Sequence, residues 1–286
     1  VKPLMCRWLA YTGAPVLLKE ALYSPAHSFI DQSMHAHLGA EPTNGDGFGI
    51  GWYDDAPAPG VFRSVEPAWN DYNLRELAGH IRSGHFFAHV RAAIGSAVQQ
   101  TNCHPFRHGR WLWMHNGFLA EFAKVKRDLA MAIDPSLYME IAGQTDSEVL
   151  FLLALSLGLE ADPPKALARA IGLVENRGRR LGIEHPFQGT IATSDGERIW
   201  AFRYSSEGKS RSLFHSNDVA TLRRLYPERE ILSRLSDDAH LIVSEPIGDL
   251  PGAWSEVPEA SYCIVGGQEN ELHPFAVEPP PTALAG

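Results

Sequence analysis

The sequence predicts an α+β domain in which sheets and helices stack as layers. Three observations carry that prediction. Short apolar segments rich in β-branched and aromatic residues fill the first half and return in the last third. Two long helical patterns lie between them, and strands and helices do not alternate as a doubly wound sheet would require. The chain has 286 residues, 44% hydrophobic and 21% charged, which suits a folded domain with a sizeable core and excludes wholesale disorder. No internal repeat or linker interrupts it, so residues 6–275 are expected to form a single domain. Val1–Met5 reads as a leader or an upstream start. Residues 277–286, with Pro279-Pro280-Pro281, read as an extended tail.

The elements follow in order. Arg7–Tyr11 is a strand of alternating bulky residues, and Phe48–Tyr53 is a second, entered through alternating glycines. Apolar spacing predicts a helix over Tyr72–Arg82, then strands over Phe86–Arg91 and Trp111–Met114. Helices follow over Leu119–Met131 and Asp146–Leu157. The second of these begins with Thr145-Asp-Ser-Glu148, a capping box in which Thr145 caps the helix and Glu148 reaches back to it. Pro164–Leu181 is helical. Gly189–Thr193 and Arg198–Tyr204 are strands joined at Asp195-Gly196, a hairpin signal. Asp218–Leu225 is a helix, and Leu241–Ser244 and Ser261–Val265 close the set as strands.

Composition restricts function. A net charge of -9 argues against a broad grip on nucleic acid. The most apolar run, Val149–Leu159, is interrupted by Ser156 and Gly158 and falls short of a membrane span. The N-terminus lacks the apolar core of a secretory signal, and Cys6, Cys103 and Cys263 cannot form a closed disulfide set. The expected location is the cytoplasm, without membrane or nucleic-acid partners.

Several residues carry chemistry, each beside a plainer reading. Cys6 is either a small buried hydrophobe or, with everything before it removed, a terminal residue whose α-amine is a base for its own thiol. Arg91, ending a strand of apolar and aromatic residues, serves a salt bridge or a ligand carboxylate. Asn116-Gly117 makes either a hairpin turn or an oxyanion hole from an amide and a backbone N–H. Asp146 in the first turn of a helix complements the dipole or receives a ligand ammonium. Glycines 45, 47, 49 and 51 do not have dinucleotide-loop spacing and mark a turn with a face for close packing. Cys103, His104, His108 and His115 match no compact zinc pattern, so neither metal nor cofactor is expected.

Cys6, Asp46-Gly-Phe-Gly-Ile-Gly-Trp52, His89-Val-Arg91, His104-Pro-Phe106, His115-Asn-Gly117 and Thr145-Asp-Ser-Glu148 occur in an order that resembles the class II glutamine amidotransferases, closest to a stand-alone bacterial subgroup. The resemblance implies the N-terminal-nucleophile fold, a four-layer α-β-β-α sandwich of two antiparallel sheets. It implies hydrolysis of the γ-amide of glutamine or of a γ-glutamyl compound through a thioester. On that reading Cys6 is the nucleophile, Asn116 and Gly117 hold the oxyanion, Arg91 and Asp146 read the substrate's α-carboxylate and α-ammonium, and His104 lines the pocket. Asn44 receives no role. Activity then requires a chain beginning at Cys6. Two other readings remain: a glutaminase subunit passing ammonia to a separate synthase, and a noncatalytic domain binding glutamine or glutamate.

Overall fold

In a computed structural model, which describes residues 6–38, 43–93, 96–266 and 269–280, two antiparallel sheets pack face to face. Val1–Met5 and the tail beyond Pro280 lie outside the described residues. The first sheet runs, edge to edge, β11 (Trp254–Glu256), β9 (Phe214–Ser216), β10 (His240–Val243), β1 (Arg7–Leu17), β4 (Arg82–Val90), β2 (Phe48–Trp52) and β3 (Gly60–Ser64). The second runs β13 (Glu269–Pro274), β12 (Ser261–Gly266), β8 (Ile199–Ser205), β7 (Phe187–Ser194), β6 (Trp111–Leu119) and β5 (Phe106–His108). Helices α1 (Leu18–Leu22), α2 (Phe29–Met34) and α3 (Tyr72–His80) cover the outer face of the first sheet. The second sheet is covered by α4 (Phe122–Met131), α5 (Pro135–Tyr138), α6 (Asp146–Ser156) and α7 (Pro163–Arg180). Two short helices, α8 (Val219–Leu225) and α9 (Glu230–Arg234), pack beside β11.

The period of two along each strand makes the layers. In β1, Trp8 and Ala10 point between the sheets, where they join Phe87, Leu112, Met114, Ala192, Ala201 and Val265. Leu9 and Tyr11 point the other way, onto α1, α2 and α3. Helix α6 is apolar on every side, and Val149–Leu155 are all buried between the second sheet and its neighbouring helices. Each Val, Leu or Phe among them contributes about 1.5–3 kcal/mol on leaving water. The four-layer α-β-β-α arrangement is the one the resemblance implied.

Local readings need four corrections. Strand β1, expected over Arg7–Tyr11, continues to Leu17 through a bulge between Thr12 and Val16, past Gly13 and Pro15. Leu119 belongs to β6, and α4 starts only at Phe122, after Glu121 in the left-handed region at φ 48°. Arg82 opens β4 instead of closing a helix. Thr145 Oγ1 does accept the Glu148 N–H at 3.2 Å, but Glu148 does not reach back: its carboxylate accepts from Ala142 N at 3.0 Å and Gly143 N at 2.8 Å.

Candidate active site

Cys6 stands immediately before β1, at the end of the strand beside β4 and the loop that follows it. The Ala92 N–H points at its Sγ at 3.4 Å, and Sγ lies 3.6 Å from Ala92 O. Its carbonyl accepts from Asn116 Nδ2 at 2.7 Å and from Arg7 at 3.1 Å. Burial pushes the thiol pKa up, against the weaker opposing pulls of the Ala92 N–H, Arg211, Arg91 and Arg7. The thiol is therefore held in its protonated form until something takes its proton.

Arg91 follows β4 and is 4% exposed. Its guanidinium donates to Ser96 Oγ at 2.6 Å and to Asp46 O at 3.3 Å, and among the described residues no carboxylate lies within ion-pair distance. Among the described residues the buried cation is thus held by neutral oxygens and lines a cavity. Asp46 braces this corner further by accepting the Ala93 N–H at 2.7 Å.

Asn116 and Gly117 make no turn. They lie inside β6, opposite Thr190 and Gly189 of β7. Their turn propensity is overridden by long-range pairing, and glycine is required by the packing. A Cβ on Gly117 would stand 2.1 Å from Gln188 O and 2.5 Å from His115 Nε2. Asp146 starts α6, with one carboxylate oxygen accepting from Ser147 N at 2.8 Å and the other from Leu119 N at 2.8 Å. It complements the helix start and, by the second bond, ties α6 to the end of β6.

Behind these groups lie three buried imidazoles. His104 packs 4.3 Å from His89 and 4.5 Å from Phe106, and neither ring nitrogen of His89 or His104 has a hydrogen-bond partner among the described residues. His115 Nδ1 meets Ser147 Oγ at 2.9 Å. Burial drives all three toward the neutral form. His89 falls to about 3 and His115 to about 4, while His104 lies well below its ordinary value with the neighbouring histidines adding to the effect. The zinc pattern weighed from sequence does not converge here, since Cys103 Sγ donates to Ser64 O and His108 pairs with Glu140.

Every site residue expected from the sequence lines one cavity of about 680 Å³: Cys6, Arg91, His104, Asn116, Gly117 and Asp146. The glycine stripe makes room for its wall. A Cβ on Gly49 would stand 2.2 Å from His104 O, and one on Gly51 would stand 2.8 Å from Pro105. Sequence reasoning missed Ser96 and Ala92, which carry no local signal, and Phe122 and Lys126, which line the cavity from α4. Lys126 stands in the charged run Lys124, Lys126, Arg127 and Asp128 of α4, so its sequence neighbours gave no sign of that wall.

A family profile for the glutamine amidotransferases class-II matches residues 20–242. The probable glutamine amidotransferase DUG3 of Saccharomyces cerevisiae is 32% identical over 306 residues, covering 96% of this chain and 85% of the yeast protein. The gamma-glutamyl-hercynylcysteine sulfoxide hydrolase of Mycolicibacterium smegmatis is 28% identical over 257 residues, covering 89% of this chain and 93% of its own. Among solved structures, a glutamine aminotransferase class-II domain protein from Silicibacter pomeroyi matches with TM-score 0.73 and 35% identity, over 96% of this chain and 100% of that one. The glutamine phosphoribosylpyrophosphate amidotransferase of Bacillus subtilis shares the fold at TM-score 0.64 and 14% identity, over 96% of this chain and 50% of its own.

Proposed function

The chain belongs to the class II glutamine amidotransferases, and within that family we propose that it hydrolyses the amide of a γ-glutamyl compound through a thioester on Cys6. The observation that carries this reading is the convergence of Cys6, Arg91, Asn116-Gly117 and Asp146, from four separate segments, on one cavity.

The chemistry follows from the environment of each group. With its pKa raised by burial, the Cys6 thiol offers no standing thiolate and needs a base in contact. His104 and His115 line the cavity but are too weakly basic. An α-amine on Cys6 itself, with an ordinary pKa of about 7.7–8.0, is the better acceptor. It takes the thiol proton as sulfur attacks the amide carbon. The oxyanion is met by Asn116 Nδ2, released from the Cys6 carbonyl, and by the Gly117 N–H. The amine returns the proton to the leaving nitrogen as the C–N bond breaks. Water then attacks the thioester carbon, its proton passing to the amine and on to the departing sulfur. Arg91 clamps the α-carboxylate and Asp146 the α-ammonium, so both ends of the glutamyl head are fixed. The cavity, about 680 Å³, extends past the proposed glutamyl contacts to Phe122 and Lys126 of α4. That favours release of an amine from a larger γ-glutamyl compound over service as an ammonia source for a separate synthase.

Incubation with a diazo-ketone analogue of glutamine, read by peptide and intact mass, tests the assignment. The expected result is a single adduct on Cys6 of a chain that begins there, with Cys103 and Cys263 unmodified and turnover lost. Labelling elsewhere overturns the nucleophile, and full activity of a chain retaining Val1–Met5 removes the base. A panel of γ-glutamyl amides set against glutamine separates the two product classes.

A further inference from the structure

On the far side of Arg7 from the nucleophile, His27, His37 and Glu245 bring three metal-ligating atoms within 4.8 Å of one another. Glu245 is buried and divides its two oxygens between two tasks. Oε2 accepts from Arg7 Nε at 2.9 Å and from Leu38 N at 3.0 Å. Oε1 accepts from His37 N at 2.7 Å and faces His27 Nε2 at 2.8 Å.

The other nitrogen of His27 also faces a carboxylate, with Nδ1 3.3 Å from Asp31 Oδ2. A neutral imidazole has one N–H and cannot donate to both acids. When Nδ1–H donates to Asp31, the tautomer is set, and the Nε2 lone pair confronts an anionic oxygen. A positive charge between Nε2 and Oε1, a proton or a metal cation, relieves that contact. A carboxylate behind one ring nitrogen with a cation on the other is how metal-binding histidines are oriented. His27 also holds a left-handed φ of 48°, an uncommon backbone setting that histidine adopts more readily than most residues. The imidazole of exposed His37 stacks on His27 at 3.8 Å with the ring planes 2° apart.

We propose that His27, His37 and Glu245 Oε1 bind a borderline divalent cation of the zinc class. Bonds of roughly 2.1 Å in a tetrahedral site put ligand atoms about 3.4 Å apart. The His27–Glu245 edge needs to open only slightly to reach that spacing, and the His37 ring must splay from the stack, which its exposure permits. Asp31 stands behind His27, and water completes the shell. Because Arg7 uses Oε2, the cation takes its place without breaking the ion pair. The result is a continuous path from cation through Glu245 and Arg7 to the Cys6 carbonyl, 3.1 Å from Arg7.

The test uses chelator-treated full-length protein titrated with Zn²⁺ by calorimetry and with Co²⁺ by absorption. The expected outcome is one equivalent bound and a visible Co²⁺ spectrum lacking a sulfur-to-cobalt charge-transfer band. His37→Ala and His27→Ala should each bind at least about tenfold more weakly, the loss typical even of a partner one step removed from a metal. At a fixed concentration Zn²⁺ should raise the thermal midpoint of the parent protein more than that of either variant. His37→Ala alters an exposed side chain, so its metal-free midpoint should match the parent. Absence of stoichiometric binding, parental affinity in the two variants, or a thiolate band that assigns the metal to a cysteine would each overturn the proposal, whatever the outcome for the hydrolase reading.

Discussion

Acid should destabilise this fold early, and four buried histidines set the size of the effect. His85, 6% exposed, donates to or accepts from Ser194 Oγ between the sheets, and burial lowers its pKa to about 4. His89 is lowered to about 3 and His115 to about 4, and His104 lies well below its ordinary value. In an unfolded chain each titrates near 6.5. Between that value and the folded one, the unfolded state binds more protons, so stability rises with pH and falls on acidification. A shift of one unit corresponds to about 1.4 kcal/mol per group. From pH 7.5 to 5.5, His85, His89 and His115 therefore cost about 4 kcal/mol together, and His104 adds to that loss. This magnitude does not depend on where below about 5 each folded value lies. Against a typical stability of about 5–15 kcal/mol, it is a large fraction. Urea unfolding followed by circular dichroism at half-unit pH steps measures it, with the slope against pH giving protons taken up on unfolding. About three or more are expected near pH 5.5. A slope below one proton, or stability that rises on acidification, would refute the claim that these imidazoles are buried and neutral.

Three further outcomes follow. Gly117→Ala forces a Cβ to 2.1 Å from Gln188 O, so β6 and β7 must part locally. It should cost about 1–3 kcal/mol in chemical denaturation and abolish most turnover, and a variant of parental stability would contradict the packing. Arg91→Lys keeps the charge but loses the planar fork, so KM for glutamine or a γ-glutamyl amide should rise about 10- to 100-fold with a smaller change in kcat. A loss confined to kcat would move Arg91 away from the substrate's carboxylate. Asn116→Ala should lower kcat by about 10²–10³ with KM little changed, and unaltered steady-state rates would exclude the oxyanion role.

The central elements were legible in the sequence because they are buried on both sides. Strands β1, β4, β6, β7, β8 and β10 must be apolar, and α6 is apolar all round, so composition alone marks them. The unforeseen strands were β3, β5, β9, β11 and β13. Four of these form the sheet edges and β9 lies next to one. An edge residue is not compelled to be apolar: every residue of β3 is half-buried, and its sequence Gly-Val-Phe-Arg-Ser carries no alternation. Helices α1, α2, α5 and α9 are too short to display a helical period.

The site divides along the same physical line between what is local and what is distant. Glycines 47, 49 and 51 announced close packing, yet nothing nearby named the partner, because it lies more than fifty residues on. Gly47 would carry its Cβ to 2.7 Å from Cys103 Sγ, and the next two would strike His104 O and Pro105. Arg63 fixes that segment from the neighbouring strand, donating from two nitrogens to Pro105 O at 3.0 and 2.6 Å. The stripe is therefore a seat for the loop that brings His104 to the cavity wall. Asn116-Gly117 teaches the converse. Read locally the pair is a turn, but Gly189 across the ladder is also a glycine, and a Cβ there would meet His115 Nε2 at 2.4 Å. Two glycines facing one another across β6 and β7 make space for one imidazole, and that imidazole, through Ser147, reaches the first turn of α6, where Asp146 is held. The strand that carries the proposed oxyanion donors and the helix that carries the proposed ammonium acceptor are thus registered to each other by a contact that only the folded chain contains.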